Sequence, residues 1–340
     1  MQSRPARRST GASPILIGVT TASDALKTNL AGIPLRNPVL LAAGTAGYID
    51  ELADVAPLSA VGGVVTKSIT AEPRQGNETW RVTEVPAGML NAIGLANVGR
   101  DEFERTYAPR ASTVDTAVIG SIAGHAIEDY VSVAEMFDRI ESIGAVEINV
   151  SCPNVADGSS FGESPEALRD LLQAVRPALA HTNLFVKMPP VTTGDDDGRG
   201  IVSLSRTAID NGAEALTIAN TTPAMAIDVH TRQPRLANVT GGLSGPAVHP
   251  IIVRLIHLVF RGVARDAGVP IIGAGGVSRW EDAAEFILAG ASAVEIGAAL
   301  FADPRTPRKV ARGLDRWVRS QGVASIQELV GAVQLPGDAT

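Results

Sequence analysis

Short apolar runs alternate with amphipathic segments along most of the 340-residue chain. The apolar runs have the length of strands buried on both faces, and the segments between them carry apolar residues at the helical spacings of three and four. The predicted strands are 38–43, 60–67, 117–122, 146–150, 184–188, 215–219, 270–273 and 293–296, with a hairpin of 26–30 and 33–35 ahead of them. The predicted helices are 50–56, 101–109, 127–143, 165–180, 201–211, 247–263, 280–289 and 307–320, with one more at 326–333 outside the repeat.

This rhythm of eight strand-helix pairs predicts an α/β fold of the TIM (β/α)8 barrel type, for which about 250 residues is typical. The alternative is a doubly wound open sheet, which usually has fewer strands. Two long stretches, 68–97 after the second strand and 220–245 after the sixth, lack helical periodicity, and insertions of this kind tend to be functional. We expect an N-terminal tail at 1–25, a barrel at 26–320, and a C-terminal helix and tail at 321–340.

Composition excludes several classes of protein. The net charge is −7 and the acidic residues are scattered, so no basic face is available for nucleic acid. No uninterrupted apolar run approaches the 18 residues of a membrane span. A single cysteine, with no metal-binding pattern around it, fits a reducing compartment, and we expect a cytoplasmic protein without a bound metal.

That cysteine, Cys152, lies in the segment Asn149-Val-Ser-Cys-Pro-Asn154, which follows the fourth predicted strand. Pro153 cannot continue a strand ladder, so the sulfur falls on a loop at a strand's C-terminal end. A lone cysteine is usually an inert small apolar residue, and asparagines often serve only a turn. A thiol flanked by two amide side chains instead suits a site that holds a small polar molecule while a proton moves or a covalent bond forms.

Lysine is scarce, with four among 29 basic residues, yet Lys67 and Lys187 both end apolar runs. A desolvated lysine changes its pKa readily, which arginine cannot do, so these positions suggest a specific role. In a barrel, all strand C-termini open on the face where such enzymes place their chemistry. The lysines would therefore meet Cys152, Asn91 and Asn220 there, with Asn149, Thr221 and Thr222.

Glycines in the last third of the chain favour a phosphate site. The run 273–276 links the seventh strand to a helix, Gly297 and Ala298 follow the eighth strand, and 241–245 adds three more glycines. Glycines let backbone N–H groups approach an anion, and this place in a barrel is a common phosphate site. The spacing does not match the dinucleotide fingerprint.

Six motifs together resemble the class 1 dihydroorotate dehydrogenases, in their detail the B type. They are Thr66-Lys-Ser68, Pro86-Ala-Gly-Met-Leu-Asn-Ala-Ile-Gly-Leu95, Asn149-Val-Ser-Cys-Pro-Asn154, Met225-Ala-Ile-Asp228, Leu236-Ala-Asn238 with Gly241-Gly-Leu-Ser-Gly-Pro246, and Gly273-Ala-Gly-Gly276. The resemblance spans residues 26–304. It implies an FMN-containing TIM barrel that oxidises dihydroorotate to orotate in pyrimidine biosynthesis.

The resemblance also implies roles for individual residues. Cys152 would be the catalytic base that removes a proton from C5 of the substrate, and Lys187 would lie near N1 and O2 of the flavin. The substrate would be bound by Lys67, Asn91, Ala92, Ile93, Gly94, Leu95, Asn149, Asn154, Asn220 and Thr221. The FMN would be bound by Ala43, Gly44, Lys67, Ser68, Asn149, Lys187, Ala219, Thr221, Gly245, Gly275, Gly276, Gly297 and Ala298. Ala43, Pro190, Thr222–Ala224 and Ala298 depart from the family's usual residues.

The resemblance implies a homodimer and, for the B type, a second subunit that carries FAD and an iron-sulfur cluster and passes electrons to NAD. One cysteine cannot hold such a cluster. Three alternatives remain: an FMN-dependent reductase of another pyrimidine, a non-redox phosphate-binding barrel lyase with Lys67 or Lys187 as a Schiff base, and a catalytically inactive binding protein.

Overall fold

The computed structural model describes residues 24–151, 161–191 and 199–337. Within these ranges the strands are β1 (Thr28–Leu30), β2 (Ile33–Leu35), β3 (Val39–Leu41), β4 (Gly63–Val65), β5 (Val82–Val85), β6 (Gly88–Asn91), β7 (Ala117–Ile122), β8 (Ala145–Asn149), β9 (Asn183–Lys187), β10 (Ala215–Ile218), β11 (Thr222–Met225), β12 (Ile227–Asp228), β13 (Gln233–Pro234), β14 (Thr240–Ser244), β15 (Ile271–Ala274) and β16 (Ala293–Ile296). The helices are α1 (Arg100–Glu102), α2 (Ile127–Asp138), α3 (Pro165–Val175), α4 (Ile201–Asp210), α5 (His249–Val259), α6 (Arg265–Ala267), α7 (Trp280–Ala289), α8 (Ala299–Ala302) and α9 (Thr306–Ser320).

Eight of these strands form a closed parallel barrel in the order β3-β4-β7-β8-β9-β10-β15-β16. The ring closes where β16 pairs with β3, with Ile296 opposite Leu41. The predicted TIM barrel is therefore confirmed, and each of its eight predicted strands overlaps an observed one. The helices cover the outside of the barrel, where their apolar faces pack on the outward side chains of the strands.

Two predicted helices are wrong. Residues 50–56 form hydrogen-bonded turns, because the segment is too short to repay helix nucleation and Pro57 disfavours helical geometry at Ala56. Of 326–333, only Ile326–Leu329 is a short 3-10 turn, since Gly331 follows with a φ of +74° and its N–H bonds to Ile287 of α7. Several other helices end earlier than predicted; α2, for example, stops at Asp138.

The inside of the barrel is layered by the two-residue period of its strands. Each barrel strand contributes one residue to the lowest layer: Leu40, Val65, Ile119, Ala145, Phe185, Ala215, Ile272 and Ala293. The β1-β2 hairpin adds Leu30 and Leu35 to the same cluster and so closes the N-terminal end of the barrel. Side chains two residues further along each strand lie closer to the C-terminal face. The site must therefore open at that face.

The two insertions after the second and sixth barrel strands build one antiparallel sheet, in the order β11-β14-β6-β5, which we call the roof sheet. Asn91 of β6 pairs with Gly242 of β14, although the two belong to different insertions. The sequence predicts these stretches as long insertions without helical periodicity, but it does not predict their strands. Glycines and prolines weaken the strand pattern in the sequence, yet β14 is satisfied by pairing on both edges.

One helical stretch, Pro246–Ala267, is 22 residues long and apolar enough to match a membrane-spanning helix in length and composition. It runs from a 3-10 turn through α5 and a π-helical turn into α6. Its side chains Ile252, Leu255, Ile256 and Val259 are buried in the cluster between the barrel and its helices. In this fold its apolar face therefore packs on the protein's own core.

Candidate functional site

A cleft of about 1110 Å³ lies between the C-terminal ends of the barrel strands and the roof sheet. A volume of this size accommodates a bound cofactor together with a small substrate. Most of the predicted site residues line it: Ala43, Gly44, Lys67, Ser68, Asn91, Ile93, Leu95, Asn149, Lys187, Ala219, Asn220, Thr221, Gly245, Gly275, Gly276, Gly297 and Ala298. The gathering of these side chains on one face follows from the parallel barrel.

Two predicted substrate-binding residues do not line the cleft. The backbone of Ala92 donates to the carbonyl of Arg81, and its own carbonyl accepts from the Asn77 amide at 3.0 Å. Gly94 has a φ of +73°, and a Cβ there would lie 2.4 Å from Oδ1 of Asn77. These residues shape the loop that carries Ile93 and Leu95 to the cleft.

Asn149, at the end of β8, and Asn220, in the loop after β10, are joined by a hydrogen bond. The side-chain amide of Asn220 donates to Oδ1 of Asn149 at 3.0 Å, and the same oxygen accepts the backbone N–H of Ser151 at 3.1 Å. Oδ1 of Asn220 accepts the N–H of Thr221 at 2.7 Å. Because each amide oxygen is engaged, the orientation of both side chains is fixed, and the remaining N–H groups are directed by the protein rather than by solvent.

Asn91 reaches the cleft from the roof sheet. Its amide donates to the carbonyl of Gly242 at 3.3 Å. A Cβ at Gly241 would lie 2.4 Å from the Asn91 carbonyl oxygen, and one at Gly242 would lie 1.9 Å from Oγ1 of Thr221. Only glycines therefore allow the roof sheet to come this close to Asn91 and Thr221.

Lys67 follows β4 and is half-buried in the cleft wall. Burial lowers the pKa of its ammonium, and the nearby positive charge of Arg81 lowers it further. An anionic ligand in the cleft would stabilise the charged form of Lys67, because its negative charge would offset the effects of burial and of Arg81.

Lys187 of β9 lies in a buried ionic cluster inside the barrel. Its Nζ is 2.7 Å from Oε2 of Glu295 and 3.2 Å from Oε1 of Glu147, and the other Glu147 oxygen accepts the Thr217 hydroxyl at 2.6 Å. Burial alone would lower the pKa of Lys187, but the two carboxylates outweigh it and raise that pKa. Burial and the Glu147 charge raise the pKa of Glu295 to about 8, against the opposing effect of Lys187.

Sequence reasoning missed Glu147 and Glu295, although the chain carries a signal for both. The tetrapeptide Ala-Val-Glu-Ile occurs at 145–148 and again at 293–296, in two barrel strands. Alternation from Asn149 places Glu147 on the inward face, and alternation from Ala293 does the same for Glu295. A glutamate inside an apolar strand requires a buried partner, and Lys187 ends a strand of the same barrel.

Glycines with positive φ, which follow β14 and β15, form a cradle in the wall of the cleft. The φ angles are +101° at Gly245, +143° at Gly275 and +77° at Gly276. A Cβ at Gly276 would lie 2.8 Å from the Gly245 carbonyl oxygen and 2.8 Å from Cβ of His249. Backbone N–H groups in such a turn suit an anion, which agrees with the predicted phosphate site.

Cys152 and Asn154 lie outside the described residues, so their roles stay predictions. The ends of the segment that carries them are described. Gly162 donates its N–H to the carbonyl of Val150 at 2.9 Å, and Val150 and Phe161 are both buried. The residue before Cys152, Ser151, is tied to Asn149 in the cleft wall.

Comparison with known proteins matches residues 25–318 to the family model described as dihydroorotate dehydrogenase. The chain is 42% identical over 309 residues to a protein of Geotalea uraniireducens, covering 91% of this chain and 98% of that one. It is 43% identical over 311 residues to a protein of Geobacter sulfurreducens, with coverage of 91% and 98%. A Bacteroides fragilis protein is 40% identical over 311 residues, with coverage of 91% and 99%.

All three relatives are named dihydroorotate dehydrogenase B (NAD(+)), catalytic subunit. The match extends over nearly the whole barrel and both insertions, and it includes the roof sheet and the glycine cradle. The chain therefore belongs to the dihydroorotate dehydrogenase family.

Proposed function

We propose that this chain is the catalytic subunit of a B-type dihydroorotate dehydrogenase, which oxidises dihydroorotate to orotate with a bound FMN. The observation that carries the proposal is the cleft itself, which joins a glycine cradle for a phosphate to a set of amides and a lysine for a planar, anionic ring. The names of the relatives support the same substrate.

The residues present fit FMN. The cradle at Gly245, Gly275 and Gly276 suits its phosphate, and the small side chains of Ala43 and Ala298 leave space along the cleft wall. Lys187 has a raised pKa and so keeps its charge at every physiological pH, which suits the edge of a flavin ring where negative charge develops. When bound, FMN supplies the acceptor for the hydride that leaves C6 of dihydroorotate.

The chain's own residues hold the substrate and take its proton. We assign the base to Cys152, whose thiolate would remove the proton from C5. A free thiol titrates at about pH 8.5, so a neighbouring charge or dipole is needed for function at neutral pH. Asn91, Asn149 and Asn220, with Asn154, would pair with the ring amides and carboxylate, and Lys67 would balance the negative charge of the substrate.

Selection for orotate-like rings follows from the fixed amides. A buried donor left without a partner costs about 1–3 kcal/mol, so a ring that fails to match Asn149 and Asn220 is disfavoured by that amount at each position. The Asn220–Asn149 hydrogen bond holds both side chains in place before the ligand arrives. Preorganisation of this kind reduces the cost of binding.

For the electron acceptor we propose a partner subunit that carries FAD and an iron-sulfur cluster and reduces NAD. Relatives named as the catalytic subunit of an NAD(+) enzyme imply a separate electron-transfer subunit. A chain with one cysteine cannot itself hold the cluster. We further propose a cytoplasmic homodimer whose functional unit is the barrel at 26–320, with Ile326 and Leu329 of the segment 321–340 packed into its core.

A phosphate-binding lyase is the second candidate, and one observation favours it: the lowered pKa of Lys67 is what a Schiff-base lysine needs. Lys187 is unsuited to that role, because two carboxylates keep it protonated. Colour distinguishes the candidates, since the lyase would hold no flavin.

The test begins with the purified chain and its visible spectrum. Mass spectrometry of the released cofactor separates FMN from FAD. Anaerobic addition of dihydroorotate should bleach the flavin absorbance, whereas dihydrouracil should bleach it at least about tenfold more slowly, as expected for the loss of one matched polar group. A colourless protein that cannot be reconstituted with FMN, or one bleached faster by dihydrouracil, contradicts the proposal.

A further inference from the structure

The ionic cluster under the cleft contains more carboxyl groups than ammonium groups. Among the residues that the structure describes, three ionisable groups meet there, and Lys187 is the one cation of the three. Glu147 and Glu295 are each 1% exposed, so water does not screen them. With these three groups ionised, the cluster would carry one surplus negative charge. A buried charge without a counterion is costly, and such sites usually resolve the cost by protonation.

The hydrogen bonds indicate which carboxyl group carries the proton. Both oxygens of Glu147 accept hydrogen bonds, one from Lys187 and one from Thr217. Glu295 accepts from Lys187 through Oε2 alone, and its Oε1 has no hydrogen-bond partner among residues 24–151, 161–191 and 199–337. A proton on Glu295 removes the surplus charge and leaves Glu147 fully satisfied as an acceptor.

Among the described residues, the titratable groups that face Glu295 lie across the barrel interior from it. They are Glu147 of β8 and Lys187 of β9, while β15 and β3, which flank Glu295 in the sheet, carry no titratable side chain. Burial and the charge of Glu147 favour the protonated form and raise the pKa of Glu295 to about 8, against the Lys187 charge. The surplus negative charge of the cluster and the raised pKa of Glu295 therefore both favour a protonated Glu295.

We propose that Glu295 is a positioning residue that holds a proton at neutral pH and, through Lys187, couples the charge of the bound cofactor to proton uptake inside the barrel. Both Glu295 and Lys187 line the cleft, so the cluster lies directly beside the ligand space. The inference rests on the proposed function, because it requires a flavin next to Lys187.

Flavin reduction and protonation of Glu295 should favour each other. Reduction adds negative charge beside Lys187, and a negative charge makes Glu295 hold its proton more strongly. Below a pH of about 8, Glu295 is protonated before and after reduction and contributes nothing to the potential. Above that pH, reduction draws one more proton into the cluster. For a two-electron couple, one extra proton steepens the fall of the midpoint potential by at most about 30 mV per pH unit.

The experiment measures the flavin midpoint potential by anaerobic equilibration with reference dyes, from about pH 6 to about pH 9.5. The wild-type protein should show the extra slope above a pH of about 8, and Glu295→Gln, which keeps the shape but cannot titrate, should lack it. Glu135→Gln is the matched control, because it removes one carboxylate from an exposed position on α2 and should follow the wild type. Parallel curves for wild type and Glu295→Gln, with flavin bound in both, overturn the inference.

A second measurement does not depend on the flavin. Infrared difference spectra between about pH 6.5 and about pH 9.5 should show loss of a buried carboxylic-acid band in the wild type and not in Glu295→Gln. Glu147→Gln leaves Glu295 alone with Lys187, so Glu295 should ionise and the band should be absent at both values. Failure to bind FMN counts against the proposed function, whereas a wild-type protein without this band overturns the inference itself.

Discussion

The side chain of Asn220 donates a hydrogen bond to Asn149 across 3.0 Å, although the two residues lie 71 positions apart in the chain. Asn149 ends β8 and Asn220 follows β10, and these strands are the two neighbours of β9 in the barrel. The bond therefore spans the strand that carries Lys187, and it fixes the amides of the cleft above the buried ammonium.

Asn220→Ala should lower kcat/KM for dihydroorotate by about 10- to 100-fold, because a donor is lost and the orientation of Asn149 is released. The measurement is the steady-state rate with dihydroorotate and with dihydrouracil. The ratio of kcat/KM for dihydroorotate to that for dihydrouracil should fall. Asn238→Ala, at an exposed asparagine of the roof insertion, is the control and should leave both rates unchanged. An unaltered preference in Asn220→Ala would remove Asn220 from substrate selection.

Cys152→Ser should keep its FMN and oxidise dihydroorotate at least about 100-fold more slowly at neutral pH, since a serine hydroxyl is a far weaker base than a thiol. Flavin content is measured from the visible spectrum, and the rate of bleaching is followed by stopped flow. The remaining rate should rise with pH well beyond the range in which the wild type levels off. A near-normal rate at neutral pH would exclude Cys152 as the base.

Lys187→Ala should destabilise the fold by about 3–5 kcal/mol and weaken FMN binding, because Glu147 and Glu295 lose their shared cation in a buried site. The measurements are urea denaturation and flavin retention during gel filtration. Lys27→Ala removes an exposed lysine paired with Asp24 and is the control, for which we expect neither change. Unaltered stability and spectrum in Lys187→Ala would contradict the structural role of the cluster.

Gly276→Ala should abolish tight FMN binding, since the added Cβ meets the Gly245 carbonyl and His249 at 2.8 Å and φ is +77°. Gly268→Ala is a matched control, because Gly268 has a similar φ of +67° and nothing within 4 Å of its Cβ. Both substitutions carry backbone strain of about 1–2 kcal/mol, but only the first closes the cradle. The dissociation constant of FMN, measured by fluorescence quenching, should rise in Gly276→Ala alone.

Glu295→Gln should gain stability relative to the wild type as the pH rises. The pKa of Glu295 rises from 4.5 to about 8 on folding, so the unfolded chain releases a proton that the folded protein keeps. The contribution of Glu295 to the stability of the wild type is then complete below a pH of 4.5, is lost progressively up to a pH of about 8, and stays constant above it.

Within that window, the difference in unfolding free energy between Glu295→Gln and wild type should grow by about 1 kcal/mol per pH unit. Urea denaturation at a series of pH values measures it, with Glu135→Gln as the reference for a simple change of net charge. A difference that stays constant with pH would mean that Glu295 does not change its pKa on folding.

The barrel could be predicted from the sequence because each strand is a continuous apolar run, and eight such runs with helices between them leave few alternatives. The strand 117–122 and the helix 280–289 agree with the structure residue by residue. The roof sheet could not be predicted in this way. Its strands hold glycines and a proline, and they pair across a separation of about 150 residues, which no local pattern records.

The candidate site was predictable where chemistry falls at strand ends, as for Lys67, Asn149 and Asn220. The carboxylates were missed because an inward-facing glutamate in an apolar strand becomes meaningful only when its partner is known. Glu147 meets Lys187 on the adjacent strand, but Glu295 reaches the same ammonium across the barrel, 108 positions further along the chain. Such contacts depend on barrel closure.

The strands of the roof sheet are translated at different times, so the sheet can form only after β14 has been made. When a ribosome has made 230 residues, Asn91 already exists but β14, the strand beside it, does not. The edge of β6 that pairs with Gly242 in the finished protein is then unpaired, and the glycines at 275–276 have not been made. In the proposed enzyme, a chain that ends before residue 276 would therefore lack the cradle and could not bind the phosphate of FMN through it.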